Sequence, residues 1–122
     1  MHVLMTGGTG LIGAATVTAL KEKGAAVTVL TRRPPVDAPR VEYITSLSQC
    51  EGPVDAVINL AGAGLADRRW TRAYKKEIFA SRVALTGRLV DWMRSQSTPP
   101  VKLISASAIG YYGASEDGVF SE

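Results

Sequence analysis

LMTGGTGLIGAA, residues 4–15, is the stretch on which the reading of this sequence turns. Gly7, Gly10 and Gly13 recur at every third position between a short apolar run and a helix-like stretch. Each glycine adds backbone entropy that folding must remove, so their placement needs a reason. Strand, glycine turn and helix, in that order, set a helix N-terminus beside bare main chain. Such a terminus offers unpaired N–H groups and a partial positive charge, a seat for a diphosphate. A Cβ at Gly7 or Gly10 would hold the anion away, while Gly13, one turn in, lets the helix pack tightly on the strand. Thr6 and Thr9 add hydroxyls that either donate to the anion or hold the turn's shape. The duller alternative is a tight turn with no ligand, and the flanking strand and helix argue against it.

The rest of the chain repeats the alternation. His2 to Met5 reads as a buried strand, and Gly10 to Lys23 as a helix closed by Gly24. Ala25 to Thr31 and Val41 to Ile44 are strand-like, separated by RRPPVDAP, whose prolines exclude regular structure. PVDAVINLAG is an almost wholly apolar run ending in Asn59 and Gly62, as a strand covered on both faces requires. A long helix is expected from Trp70 to about Gln96, with Ile78, Leu85, Leu89 and Trp92 on one stripe, and then a further buried strand in TPPVKLISASA. Apolar strands alternating with helices predict an α/β fold with a doubly wound parallel sheet. Ligands bind such sheets at the strands' carboxyl ends. The unusual residues fall there: 7–13, 59–64 and 105–113.

Composition bounds the function. With 46% hydrophobic residues in 122, the chain can bury a core. Its net charge of +3 comes from scattered basic residues, so a nucleic-acid partner is not expected. Cys50 is the one cysteine, which excludes an internal disulfide and gives no metal cluster; neither it nor His2 suggests a site. No leader or membrane-length apolar run is legible, and a cytoplasmic location is expected.

The turn's G-x-x-G-x-x-G spacing closely resembles the extended and atypical branches of the short-chain dehydrogenase/reductase superfamily. VINLAGAGLADRRWT, IFASRVALTGRLV and LISASAIGYYG resemble its epimerase-like atypical subfamily, and the likeness runs from Val3 to Gly113. It implies a Rossmann fold and a nicotinamide cofactor held by Thr6, Gly7, Thr9, Gly10, Leu11, Ile12 and Gly13. It extends the cofactor contacts to Thr31, Arg32 and Arg33 after the second strand, to Leu60, Ala61 and Gly62, and to Arg82 and Ser105. Arg82 either reaches cofactor or substrate or carries its charge out to solvent. Arg68, Arg69 and Trp70 line a substrate pocket or form a surface cluster.

NAD-preferring members of this fold usually hold the ribose with an acidic residue after the second strand. Here that place reads Leu30-Thr31-Arg32-Arg33, with no carboxylate before Asp37. An arginine fork suits a 2′-phosphate, so NADP(H) is expected over NAD(H). The superfamily's chemistry needs a tyrosine acid, a lysine that lowers its pKa and a serine beside the reacting oxygen. The resemblance gives the serine to Ser107, with Ser105 behind it, but the sequence contains no Y-x-x-x-K. Tyr111 and Tyr112 of GYYG are substitute acids, with Tyr111 the candidate retained. The substrate expected is a small molecule. Two function classes follow: an NADP(H)-dependent oxidoreductase or epimerase, and a non-catalytic NADP(H)-binding sensor or scaffold. Family members continue beyond a fifth strand, so residues 1–122 are expected to be the N-terminal cofactor-binding portion. A bare fifth strand is an edge liability that a second copy, as a homodimer, would cover.

Overall fold

The computed structural model describes residues 1–36, 41–107 and Gly118. Five strands, β1 (His2–Thr6), β2 (Ala26–Leu30), β3 (Glu42–Ile44), β4 (Ala56–Asn59) and β5 (Lys102–Ser105), form one sheet in the order β3-β2-β1-β4-β5. Every neighbouring pair is parallel. Helix α1 (Leu11–Glu22) joins β1 to β2, and helix α2 (Arg72–Ser95) joins β4 to β5. The expected doubly wound Rossmann-type sheet is therefore present.

Strand alternation distributes the core. Val3 and Met5 of β1, Val27 and Val29 of β2 and Ile58 of β4 pack with Val17 of α1. Leu4 and Val57 point the other way and pack with Ile44, Val54 and Leu89 of α2. The chain leaves β1 toward β2 and leaves β4 in the opposite direction, so right-handed crossovers put α1 and α2 on opposite faces. The sheet's direction of travel reverses between β1 and β4, and the loops that follow these two strands face each other across that reversal.

Two expectations change. The long helix begins at Arg72 rather than Trp70, because Thr71 caps it: its Oγ1 accepts a hydrogen bond from the Tyr74 amide at 3.1 Å. The fifth strand is exposed at all four residues instead of buried. It pairs with β4 on one side alone among the described residues, so Leu103 and Ile104 keep much of their surface in water.

Candidate functional site: the crevice after β1 and β4

The turn after β1 is built from contacts that leave no room for side chains. Gly7 adopts φ +73°, and a Cβ there would stand 2.7 Å from the Leu60 carbonyl carbon and 2.8 Å from the Ala61 nitrogen. Both the left-handed backbone and the approach of the β4 loop thus require glycine. Gly13 was expected to bring helix against strand. Instead a Cβ on Gly13 would run into the Gly7 carbonyl oxygen and stand 2.7 Å from Gly8 Cα, so Gly13 packs the helix against the turn itself. Gly8, which sequence reasoning passed over, fits under the side chain of Val29 from β2.

Gly10 differs from these. Its backbone is extended (φ −81°, ψ 173°), and a Cβ would meet nothing closer than the Gly7 oxygen at 3.4 Å. Protein packing does not demand glycine there; the position opens outward. Gly10 is also the N-cap of α1, with no side-chain cap bond and no acidic residue in the first turn. The opening N–H groups of a helix have no intrahelical partners. Here Leu11 and Ile12, both exposed, follow that uncapped start. Thr9 is exposed beside them.

Thr6 is 1% exposed and serves the turn's shape. Its Oγ1 donates to Asn59 Oδ1 at 2.7 Å and accepts from the Ala61 amide at 3.2 Å, tying β1 to the loop after β4. Asn59 Nδ2 in turn donates to Thr86 Oγ1 of α2 at 2.9 Å and to Ser105 Oγ of β5 at 3.4 Å. One buried amide thereby fixes the carboxyl ends of β1, β4 and β5 and the middle of α2. Ser81 Oγ of α2 accepts from the Ala63 amide at 2.9 Å, and Arg82 Nη1 donates to the Ala63 carbonyl at 3.1 Å. The Arg82 guanidinium lies over Gly62, where a Cβ would stand 2.8 Å from Cζ.

The structure therefore gathers Thr6, Gly7, Gly10, Gly13, Leu60, Ala61, Gly62, Arg82 and Ser105 at one end of the sheet. Thr31 follows β2 at the same side: its amide donates to the Ile44 carbonyl at 2.9 Å and its Oγ1 accepts from the Arg33 amide at 3.3 Å. Arg32 and Arg33 are exposed and make no ion pair among the described residues. Ser107 is exposed just beyond β5. Tyr111 lies outside the described residues. Thr86 and Ser81 belong to the site's framework and carry no sequence signal of their own beyond lying on the inner half of an amphipathic helix.

An uncapped helix start, a glycine turn pressed onto the neighbouring strand's loop and open space beside Gly10 come together at the topological switch, the kind of place where helix N-termini favour anions. The description "NAD dependent epimerase/dehydratase family" matches residues 3–122. The chain belongs to this family. It is 40% identical over 116 residues, 91% of its length, to an epimerase family protein of Staphylococcus saprophyticus. It is similar to the human epimerase family protein SDR39U1, whose crystal structure was solved with NADPH: TM-score 0.80, 33% identity, covering 94% of this chain. A short-chain dehydrogenase/reductase superfamily protein of Agrobacterium tumefaciens, solved with NAD, gives TM-score 0.69 and 27% identity over 88% of the chain. The chain spans 39% of the staphylococcal protein, 39% of the human chain and 33% of the Agrobacterium chain. The family is NAD(P)-dependent, and its solved neighbours hold both coenzymes. Among the described residues no helix is long and apolar enough to cross a membrane.

Proposed function

We propose that this chain is the coenzyme-binding portion of an NADP(H)-dependent oxidoreductase or epimerase that acts on a small molecule in the cytoplasm. The single observation that carries the reading is the uncapped N-terminus of α1 behind Gly10, opened by a glycine turn that no side chain fills. The amides of the first turn of α1 would hold the diphosphate, with Thr9, Leu11 and Ile12 around it. Leu60, Ala61 and Gly62 would line the adenosine side. Arg32 and Arg33 would take the 2′-phosphate by charge-assisted hydrogen bonds, which favours NADP(H) over NAD(H). The NADPH held by the human relative supports that preference.

When bound, the coenzyme supplies hydride transfer. The chain's own contribution on the substrate side is hydrogen bonding at the carboxyl end of β5. Ser107 would donate to the reacting oxygen, and Ser105, which accepts from Asn59 at 3.4 Å, would stand behind it. Fluorescence titration of the protein with NADPH and with NADH tests the reading. Tighter NADPH binding is expected, and equal or tighter NADH binding contradicts it.

A further inference from the structure

We propose that the groove on the outer face of α2 binds an organic anion with a flat apolar body, beside the coenzyme seat; this rests on the coenzyme reading above. The groove is shallow and open to solvent, has a volume of about 350 Å³, and is lined by Trp70, Lys75, Ile78, Phe79, Arg82 and Val83. Trp70, Phe79 and Val83 are more than half exposed, so their apolar surface stands ready for a partner.

Charge decides which partner. Lys75 Nζ rests 5.9 Å from the centre of the Trp70 ring, and Arg82 donates through Nη1 to two backbone carbonyls. Neither makes an ion pair with a carboxylate among the described residues, where the one such pair is Arg68–Glu77. Two cations on an apolar trough complement a carboxylate or phosphate carried on an aromatic or similarly flat body. A symmetric contact with a second copy centred on this groove would set both copies' cations on one seam. The helix start repeats the message. Arg72, Lys75 and Lys76 crowd the positive end of α2 with no acidic residue in its first turn, against the sign the helix dipole favours.

Position links the groove to the crevice. Arg82 is shared: one side of its guanidinium covers Gly62, while the residue also lines the groove. Gly62 follows Leu60 and Ala61, which touch the glycine turn. A ligand anchored by Arg82 would therefore lie beside the coenzyme seat.

The test is calorimetric titration of the full natural chain with 2-naphthoate and with the neutral 2-naphthalenemethanol, alongside NADPH. Naphthoate should bind at least tenfold more tightly than the alcohol, and Lys75→Glu should lose at least tenfold in naphthoate affinity. Lys75→Met serves as a second variant, with a smaller loss in the same direction, and thermal melting checks that both fold. Equal binding of the two probes, or naphthoate affinity unchanged in both variants, overturns the proposal. NADPH binding without naphthoate binding overturns the groove alone; failure of NADPH overturns the coenzyme reading. Self-association abolished by Phe79→Glu, with no naphthoate binding, assigns the face to a contact between copies and overturns the proposal.

Discussion

Thr86 Oγ1 of α2 accepts a hydrogen bond from Asn59 Nδ2 at 2.9 Å while giving its own proton to the Arg82 carbonyl at 2.7 Å. The hydroxyl's single hydrogen is committed, so Asn59 must present a donor on that side and an acceptor toward Thr6 on the other. Asn59→Asp keeps the acceptor and loses the donor, setting oxygen against oxygen at a buried position. The variant should lose about 1–3 kcal/mol of stability, read by urea denaturation, whereas Thr86→Ser should change it by well under half of that. Equal stability of Asn59→Asp and the parent chain would show that the amide does not join these elements.

The turn makes a second demand on stability. A methyl at Gly13 meets the Gly7 carbonyl and Gly8, and backbone cannot swing aside as a flexible side chain can. Gly13→Ala should be destabilised by about 1–3 kcal/mol, the usual cost of overpacking. The expected helix-propensity gain of about 1 kcal/mol for alanine over glycine does not reverse the sign. A denaturation midpoint at or above the parent's would contradict this packing.

Arg33 is exposed in the loop after β2, the region where NAD-preferring members of this fold usually carry a carboxylate. Arg33→Glu should weaken NADPH binding by about tenfold or more, consistent with about 1.5–3 kcal/mol for a hydrogen bond to a charged group, and leave NADH binding less affected. Parallel fluorescence titrations give the ratio. An unchanged ratio would remove Arg33 from coenzyme selection.

Cys50 is half-buried, and burial first, then the nearby Glu42 carboxylate, pushes its thiol above the ordinary value of 9.0. The thiolate is the reactive form, so alkylation by iodoacetamide should be slower than for an unfolded peptide at pH 8 and should accelerate as pH rises past 9. The folded state favours the protonated thiol. Its contribution to stability is therefore full below the unfolded value and is lost as pH rises through the folded one. Alkylation as fast in the folded chain as in urea would contradict the burial.

How far the sequence discloses this molecule follows from how local each determinant is. The glycine turn and the helix start are legible because the residues involved lie within ten positions of one another. β1, β2 and β4 are legible because a strand covered on both faces has to be apolar almost throughout. β5 is apolar only at Leu103 and Ile104, and among the described residues it pairs on one side alone, so its exposure follows from pairing rather than from residue type. The partner of Gly13 is the turn rather than the strand, a contact that depends on how the chain doubles back into α1 and not on residue type. Thr86, Ser81 and the place of Arg82 over Gly62 depend on how α2 crosses the β4 loop, an approach made by residues about twenty positions apart.

On the proposed reading, a coenzyme's diphosphate rests on the open amino end of α1, past a position where the fold itself has no need of glycine. Gly10 has extended backbone that valine readily adopts and no close neighbour for a Cβ. Titration of Gly10→Val with NADPH, beside its melting curve without ligand, separates folding from binding. A melting temperature near the parent's and an affinity lowered at least tenfold are expected. Undiminished NADPH affinity in a folded Gly10→Val chain would contradict it.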